Sequence, residues 1–515
     1  MNLENHPLSA PESTLESLTG TTHDIAIIGA GPNGILLADE LVRAGKRVLL
    51  FESGGFNAEE GLLTRDSYVF EAPSKMPTRI HTVGGGSTKW LGRVGQFIPA
   101  DFLPTARRSE FWPLRYEELD NHFRKVFQKI TSSGQLDREF IEKNEDLNRI
   151  SRKLPKSLQL RIFRFSDLNA FSNILTDLVK NPNFTLVVNT TCVEICPDQD
   201  YAYVLKLDNS SSTNGFTNIK SRKVIVAGGT LQSTALIMRS KELKIPAKKK
   251  FLGKYLMEHF DGYVGSLVVK HRNNQVLNEF CLAQDRTLHG ASFGIAFSLS
   301  EEQVLSHETP NLHFEVTGFK KKLIFETNSP FACLPQFIRR FLLISERAIR
   351  KVGDPILNLY DSLLQQNRYT IWMKGEEYPN ENSKIDLSDR SEAVIPKIVY
   401  KHKISQRTSE SVRAGLVVIK QVISEENLGQ FKVYRHLLGK QHGFYLNPNW
   451  HPMGTMRMAN NKLEGICDSN LEVFDNPGLF LLSAAVFPTG SNHNPTCMVM
   501  ALGQRLADHL LNPID

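Results

Sequence analysis

Ile25-Ala26-Ile27-Ile28-Gly29-Ala30-Gly31-Pro32-Asn33-Gly34, followed by Arg47-Val48-Leu49-Leu50-Phe51-Glu52, decides the fold. An apolar run, a glycine-rich turn, a helix and a second apolar run ending in an acid make a βαβ unit. Gly29 permits the tight turn, Gly31 lets the backbone approach a pyrophosphate, and Gly34 lets the helix lie close on the sheet. The helix begins at Pro32, so its N-terminus presents free N–H groups and a partial positive charge to phosphates. Glu52 lies 18 residues after Gly34, where it can accept hydrogen bonds from both ribose hydroxyls and would repel a 2′-phosphate. With strand, helix and terminal acid in register, the unit predicts dinucleotide binding. The motif alone does not separate NAD from FAD.

The rest of the chain narrows the field. A length of 515 residues exceeds what one hydrophobic core serves, so two or more structural regions are expected. A hydrophobic fraction of 41% and an aromatic fraction of 9% suit a globular enzyme. The net charge of +6 is small for this length and implies no nucleic-acid function. Six scattered cysteines, of which only Cys192 and Cys196 are close, make no zinc site and read as free thiols of a reducing compartment. Residues 1–22 are polar and read as a mobile leader rather than a signal or transit peptide. No apolar run approaches the ~20 residues of a membrane span, and a cytoplasmic location is expected.

Beyond the first βαβ unit, the glycine cluster His81-Thr82-Val83-Gly84-Gly85-Gly86-Ser87-Thr88-Lys89-Trp90 stands out. Residues 115–180 have a polar, helical pattern. Strand signals return at Phe184 to Val188 and continue to Val193 and Ile195, with Tyr203 to Leu207 as a hairpin partner. Lys223 to Gly229 reads as a buried strand ending in a turn, followed by a helix through Leu236 and Met238. Residues 276–440 alternate strands with a long helical stretch. There, Phe337 to Val352 carries Arg339, Arg340, Arg347, Arg350 and Lys351 beside apolar residues, and a solvated basic face is the favoured reading over a membrane-binding one.

The C-terminal segment carries the most specific motifs. His451-Pro452-Met453-Gly454-Thr455-Met456-Arg457-Met458 precedes Gly465-Ile466-Cys467-Asp468, Leu471-Glu472-Val473, Phe487-Pro488-Thr489 and Asn494-Pro495-Thr496. In order before them come Gly85 to Thr88, Ala227-Gly228-Gly229-Thr230-Leu231-Gln232-Ser233, Gly253-Lys254-Tyr255-Leu256-Met257-Glu258-His259 and Glu377-Tyr378-Pro379. This set resembles the glucose–methanol–choline (GMC) oxidoreductase family over roughly residues 23–270 and 370–511.

The resemblance implies an α/β architecture in two parts. A Rossmann-like FAD-binding domain with a parallel sheet is assembled from residues 23–100, 180–275 and 440–515. A substrate domain with a mainly antiparallel sheet and covering helices takes residues 101–179 and 276–439. It implies FAD contacts from Gly29, Gly31, Pro32, Gly34, Glu52, Gly85, Gly86, Ser87, Thr88, Val193, Ala227, Gly228, Pro495 and Thr496. It also implies oxidation of a CH–OH group to a carbonyl, with His451 as base and Asn494 as the second residue on the substrate oxygen.

Elementary chemistry agrees. Hydride loss from a carbinol carbon requires the hydroxyl proton to leave, and free imidazole near ~6.5 offers a neutral base at pH 7. Asn494 is also good helix-start chemistry, an N-cap before Pro495 at the head of an apolar helix from Cys497 to Leu511, so a plain capping role stands beside the catalytic one. The positive end of that helix would face the flavin pyrimidine edge. His493, next door, ranks below Asn494 because the Asn-Pro register fits Asn494.

Two departures bear on the cofactor. Relatives of the pyranose oxidase-like branch link FAD covalently through a His in a Ser-Thr-His-Trp context, whereas this chain has Ser87-Thr88-Lys89-Trp90, so non-covalent FAD is expected. Ser483 stands where many relatives have an Asp that contacts the flavin, so that contact is not expected to carry over unchanged. The spacing from Pro488 to Asn494 resembles the pyranose oxidase-like branch and points to a sugar, glycoside or cyclic polyol. The alternatives are an aryl, aliphatic or sterol alcohol, or a lyase on the same fold; a dead-site scaffold is disfavoured by the presence of both His451 and Asn494. The electron acceptor, oxygen or another carrier, and homo-oligomerisation are left open.

Overall fold

The computed structural model describes residues 15–512, except 58–67, 71–79, 105–110, 210–215, 271–292, most of 318–358, 389–396, 439–446 and a few single positions. The basic stretch 337–352 lies almost wholly outside the described residues, as do residues 1–14 of the expected leader.

Among the described residues two large sheets organise the chain. The first begins with β1 (Thr22–Ile28), helix α1 (Pro32–Arg43) and β2 (Val48–Phe51). β1 pairs with β2 in parallel, Ile25 opposite Val48 through Ile28 opposite Phe51, as a right-handed crossover helix requires. Later strands complete this sheet: β6 (Phe184–Val187), β7 (Thr190–Pro197), β8 (Tyr203–Asn209), β9 (Thr217–Val226) and, near the C-terminus, β18 (Leu479–Leu481). The order is β6-β2-β1-β9-β8-β7, with β18 also on β9. β6, β2, β1, β9 and β18 run parallel, whereas β7, β8 and β9 form an antiparallel meander, so the sheet is mixed rather than wholly parallel. The parallel strands read as near-continuous apolar runs because both faces are covered. Ile27, Leu50 and Ile225 are fully buried in one core with Leu37 and Leu41 of α1.

The second sheet has the order β16-β10-β13-β12-β11-β5-β4, with β17 (Asn447–Pro448) on β10. Its strands are β4 (Arg93–Val94), β5 (Leu158–Phe165), β10 (Phe260–Lys270), β11 (Phe293–Leu299), β12 (Leu312–Thr317), β13 (Gln366–Gly375) and β16 (Gln430–Val433). The pairings among these strands are antiparallel, and a separate core beneath them gathers Leu267, Phe297, Phe314 and Met373. Helices Asp120–Ile130, Asp137–Lys143, Glu145–Lys153 and Ala170–Leu178 match the helical expectation for 115–180, and β5 is the exception to it. Leu158, Leu160 and Ile162 alternate with Gln159 and Arg161, a period of two that places one face in the core. A small sheet of β3 (Tyr68–Phe70), β14 (Lys384–Leu387) and β15 (Ile398–Lys401) buries Ile385, Ile398 and Tyr400 against Leu231 and Ala235 of the helix that follows β9.

Three further helices matter for the site. α2 (Gly229–Arg239) follows β9, α3 (Gln406–Glu425) covers the second sheet, and α4 (Pro495–Leu511) packs against α1. No described helix is long and apolar enough to cross a membrane.

Candidate functional site

The glycine turn between β1 and α1 is built for close approach. Gly29 adopts φ +109°, and a side chain there would sit 2.8 Å from the Ala227 backbone. A Cβ on Gly34 would lie 2.1 Å from the Gly29 carbonyl oxygen, so only glycine lets α1 seat on the sheet. Gly31, by contrast, faces open space. It is also the N-cap of α1, with no side-chain cap and no acid in the first turn. Pro32 at the first helical position removes no needed donor.

The second glycine cluster lies directly against this turn. Gly84 N–H donates to the Ala30 carbonyl at 2.8 Å, and a Cβ on Gly85 would be 3.1 Å from the Gly31 Cα. Gly86 faces open space, while Ser87 and Thr88 donate their hydroxyls to the Gly84 and Gly85 carbonyls. Ala227 N–H donates to Ile28, which places Ala227 and Gly228 at the same edge. Uncapped helix donors, open space over Gly31 and Gly86, and glycine backbone on both sides fit a diphosphate.

Glu52 is 7% exposed and closes the far side of this cradle. Its two oxygens accept from Ala30 N–H at 2.9 Å and Gly54 N–H at 3.1 Å. Burial pushes its carboxyl up to about 7, against the pull of those backbone donors. Each oxygen keeps a further lone pair, so the expected ribose contact fits beside the backbone ones. Val193 is buried on β7, and its carbonyl accepts from Arg239 Nε at 2.9 Å, which ties that strand to α2. Lys89 is exposed just after the short helical turn Gly85–Thr88.

His451 sits on a loop clamped from several directions. Its backbone N–H donates to Glu258 Oε2 at 2.6 Å, and the other oxygen of Glu258 accepts from the Tyr400 hydroxyl at 2.9 Å. Trp450, immediately before it, has φ +63°, a left-handed conformation that costs a non-glycine residue about 1–3 kcal/mol and persists only when its surroundings enforce it. Pro452 accepts from the Thr230 hydroxyl at 2.6 Å, and Thr455 bonds Thr234 at 2.7 Å. These bonds fasten the loop to α2, the helix whose N-cap is Gly228. The His451 ring meets His259 edge-on, with 3.1 Å between the two Nδ1 atoms. His259 is wholly buried, and burial, reinforced by Lys374 and His313, holds it well below the usual imidazole range.

Asn494 is held from the other side of the site. Its Oδ1 accepts from Lys374 Nζ, and its Nδ2 donates to the Arg93 carbonyl at 3.1 Å. Asn494 does occupy the N-cap position of α4, but its side chain makes no capping bond; the two site partners hold it instead. This corrects the capping expectation for the side chain. Pro495 is buried at the first helical position, with Thr496 half-buried after it, and the first turn of α4 carries no acid. His493 is buried, and burial keeps it well below the usual range. A Cβ on Gly95 would lie 2.2 Å from its ring, so it is packed against backbone. Ser483 accepts from Ala485 N–H and caps a short turn.

Several residues here escaped the sequence reading. Glu258 and His259 ended a motif quoted only for resemblance. Lys374 gave one signal, a lysine directly after the apolar run Ile371-Trp372-Met373. It is 4% exposed, and burial brings its ammonium down to about 7. Beside it, Arg93 pairs with Glu315, and Arg93 together with His313 holds that carboxyl well below its usual range although burial alone would raise it. Among the described residues no cluster could hold a metal ion, and Cys192, Cys196, Cys467 and Cys497 are free thiols.

Residues 379–503 match the family model described as GMC oxidoreductase. A stretch of 63 residues is 36% identical to a 2-methyl-1,2-propanediol dehydrogenase of Mycolicibacterium austroafricanum, covering 12% of this chain and 11% of that relative. Among solved structures, pyridoxine 4-oxidase from Mesorbium loti is similar at TM-score 0.57 and 16% identity, over 95% of this chain and 99% of its own. A fungal aryl-alcohol oxidase is similar at TM-score 0.54 and 14% identity, over 95% and 99%. A formate oxidase of Aspergillus oryzae, in a structure concerned with FAD modification, is similar at 0.56 and 15%, over 95% and 98%. These structures share the fold along nearly the whole chain. The family match spans both His451 and Asn494, and over residues 379–503 the chain is similar to the GMC oxidoreductases.

Proposed function

We propose that the protein is an FAD-dependent oxidoreductase that oxidises a CH–OH group to a carbonyl, with His451 as base and Asn494 as its partner on the substrate oxygen. The carrying observation is that the GMC domain brings both side chains to one end of the second sheet, through His259 beside β10 and Lys374 on β13. FAD, when bound, supplies the hydride acceptor. Gly29, Gly31, Pro32, Gly34, Gly85, Gly86, Ala227 and Gly228 would hold its diphosphate, Glu52 its ribose, Val193 its adenine end, and Pro495 and Thr496 its ring. The absence of a histidine at Lys89 supports non-covalent binding.

What the chain does is move one proton and hold one oxygen. Burial keeps His259 neutral, so it carries a single ring proton. With that proton on Nε2, its Nδ1 accepts from His451 Nδ1–H, and His451 keeps the Nε2 lone pair for the substrate hydroxyl. The left-handed Trp450 and the Glu258 bond fix the direction in which that ring projects. Asn494 donates its remaining N–H to the same oxygen, stabilising the charge that builds as the proton leaves.

For substrate class, the spacing from Pro488 to Asn494 supports a sugar, glycoside or cyclic polyol. The names of similar proteins, a propanediol dehydrogenase and an aryl-alcohol oxidase, support a non-sugar alcohol as the second reading. Anaerobic mixing with monosaccharides, glycosides, cyclitols, diols and aryl alcohols, scored by flavin bleaching, decides between them. Bleaching by diols or aryl alcohols alone would end the sugar reading, and no bleaching by any alcohol would favour a lyase. Acid precipitation tests the linkage: flavin should leave the protein entirely.

A further inference from the structure

We propose that Lys374 is a positioning residue that locks Asn494 as a hydrogen-bond donor to the substrate oxygen and supplies the positive charge behind it. The inference rests on the proposed role of Asn494.

The lock follows from the partners of one amide. A lysine ammonium only donates, so the Asn494 atom facing Nζ must be Oδ1. A backbone carbonyl only accepts, so the atom facing Arg93 must be Nδ2. The Arg93 carbonyl alone rules out the flipped amide, and the protonated lysine adds a second one-way partner at the other end. The Arg93 carbonyl takes one Nδ2 hydrogen, and one remains for the substrate. Asn494 therefore gives a proton to a hydrogen bond and has no role in removing one, which leaves that task to His451. A cation on Oδ1 also polarises the amide and strengthens its free N–H.

The fold fixes the lysine for this task. On β13, Lys374 lies opposite Asp261 of β10 and opposite His313 of β12, so both neighbouring strands set its register. The groups that face it are Arg93 on β4, Asp261 and Glu258 at the start of β10, Glu315 and His313 on β12, and His259 and His493 beside them. Three carboxylates against one other guanidinium sustain the buried ammonium, while burial makes its proton easy to lose near neutral pH. The charge acts mainly where negative charge develops, so its loss should slow the chemical step more than it weakens substrate binding.

The test is anaerobic stopped-flow reduction of holoenzyme over a range of pH, with the alcohol that bleaches the wild type fastest. Lys374→Met should lower the limiting reduction rate by roughly 10- to 100-fold, less than the ~10²–10³-fold of a direct oxyanion donor, with the substrate half-saturation changed less than about threefold. In an Asn494→Ala background, Lys374→Met should cost nothing further. Lys374→Arg should restore most of the rate and move its alkaline limb upward. A wild-type rate in Lys374→Met, or full additivity with Asn494→Ala, overturns the proposal while leaving the site reading intact. A wild-type rate in Asn494→Ala overturns the site reading and the lysine's role with it. Should Lys374→Met not fold, Lys374→Gln takes its place, since it can donate to Oδ1 but carries no charge. An unchanged pH profile in that variant refutes the proposal.

Discussion

Glu258 is predicted to hold the base in place, and its removal should cost both stability and rate. Its carboxylate accepts from the His451 backbone at 2.6 Å and from the Tyr400 hydroxyl at 2.9 Å, and the residue is 2% exposed. Glu258→Ala removes the acceptor that both donors share. Each buried group losing such a partner costs about 1–3 kcal/mol, so the sum is about 2–6 kcal/mol. Glu258→Gln keeps one oxygen for His451 and turns an N–H₂ toward the tyrosine oxygen, so its cost reduces to the lost charge assistance, about 1–2 kcal/mol. The effects reach catalysis because Trp450 is held in a left-handed conformation beside the clamped N–H. Urea unfolding of the three proteins gives the stabilities, and anaerobic flavin reduction gives the rates. The order should be wild type, Gln, Ala in both series. A Glu258→Ala protein with the wild-type midpoint and reduction rate would refute the clamp.

Gly34→Ala would set a methyl 2.1 Å from a backbone oxygen, so α1 must shift off the sheet; the variant should purify without FAD and lose about 1–3 kcal/mol or more in urea unfolding. Glu52 has a folded value near 7 against an ordinary 4.5, so its stabilising contribution is complete below pH 4.5 and lost as pH rises through 7; relative to Glu52→Gln, the apoprotein should lose about 3 kcal/mol across that window, measured by urea unfolding at each pH. His259→Phe keeps the ring but removes the nitrogen that meets His451. Flavin reduction should slow by about 10-fold or more, up to the ~10²–10⁴-fold that a positioned base supplies, and retained wild-type reduction would exclude a tautomer role.

Local and repetitive patterns made the fold legible. The β1–α1–β2 unit announces itself because each residue type answers a local demand: a tight turn at Gly29, helix seating at Gly34, an acid closing the strand at Glu52. The C-terminal motifs likewise place His451 and Asn494 by register. What stayed hidden depends on contacts distant in sequence. His259 and His451, separated by 192 positions, and Lys374 and Asn494, separated by 120, leave no periodic trace. Asn494 shows the same limit from another direction. An Asn-Pro pair predicts a cap, yet a lysine and a carbonyl from other strands outcompete the helix's own N–H groups for that side chain. β5 was missed because Gln159 and Arg161 gave the stretch a polar composition, although its alternation was present.

His451 is proposed to remove the hydroxyl proton of an alcohol. Anaerobic stopped-flow reduction of the wild type and His451→Ala, each carrying its full complement of FAD, tests it most directly. The alanine variant should reduce its flavin about 10²–10⁴-fold more slowly. Reduction at the wild-type rate would contradict it and move the search for the base to His493.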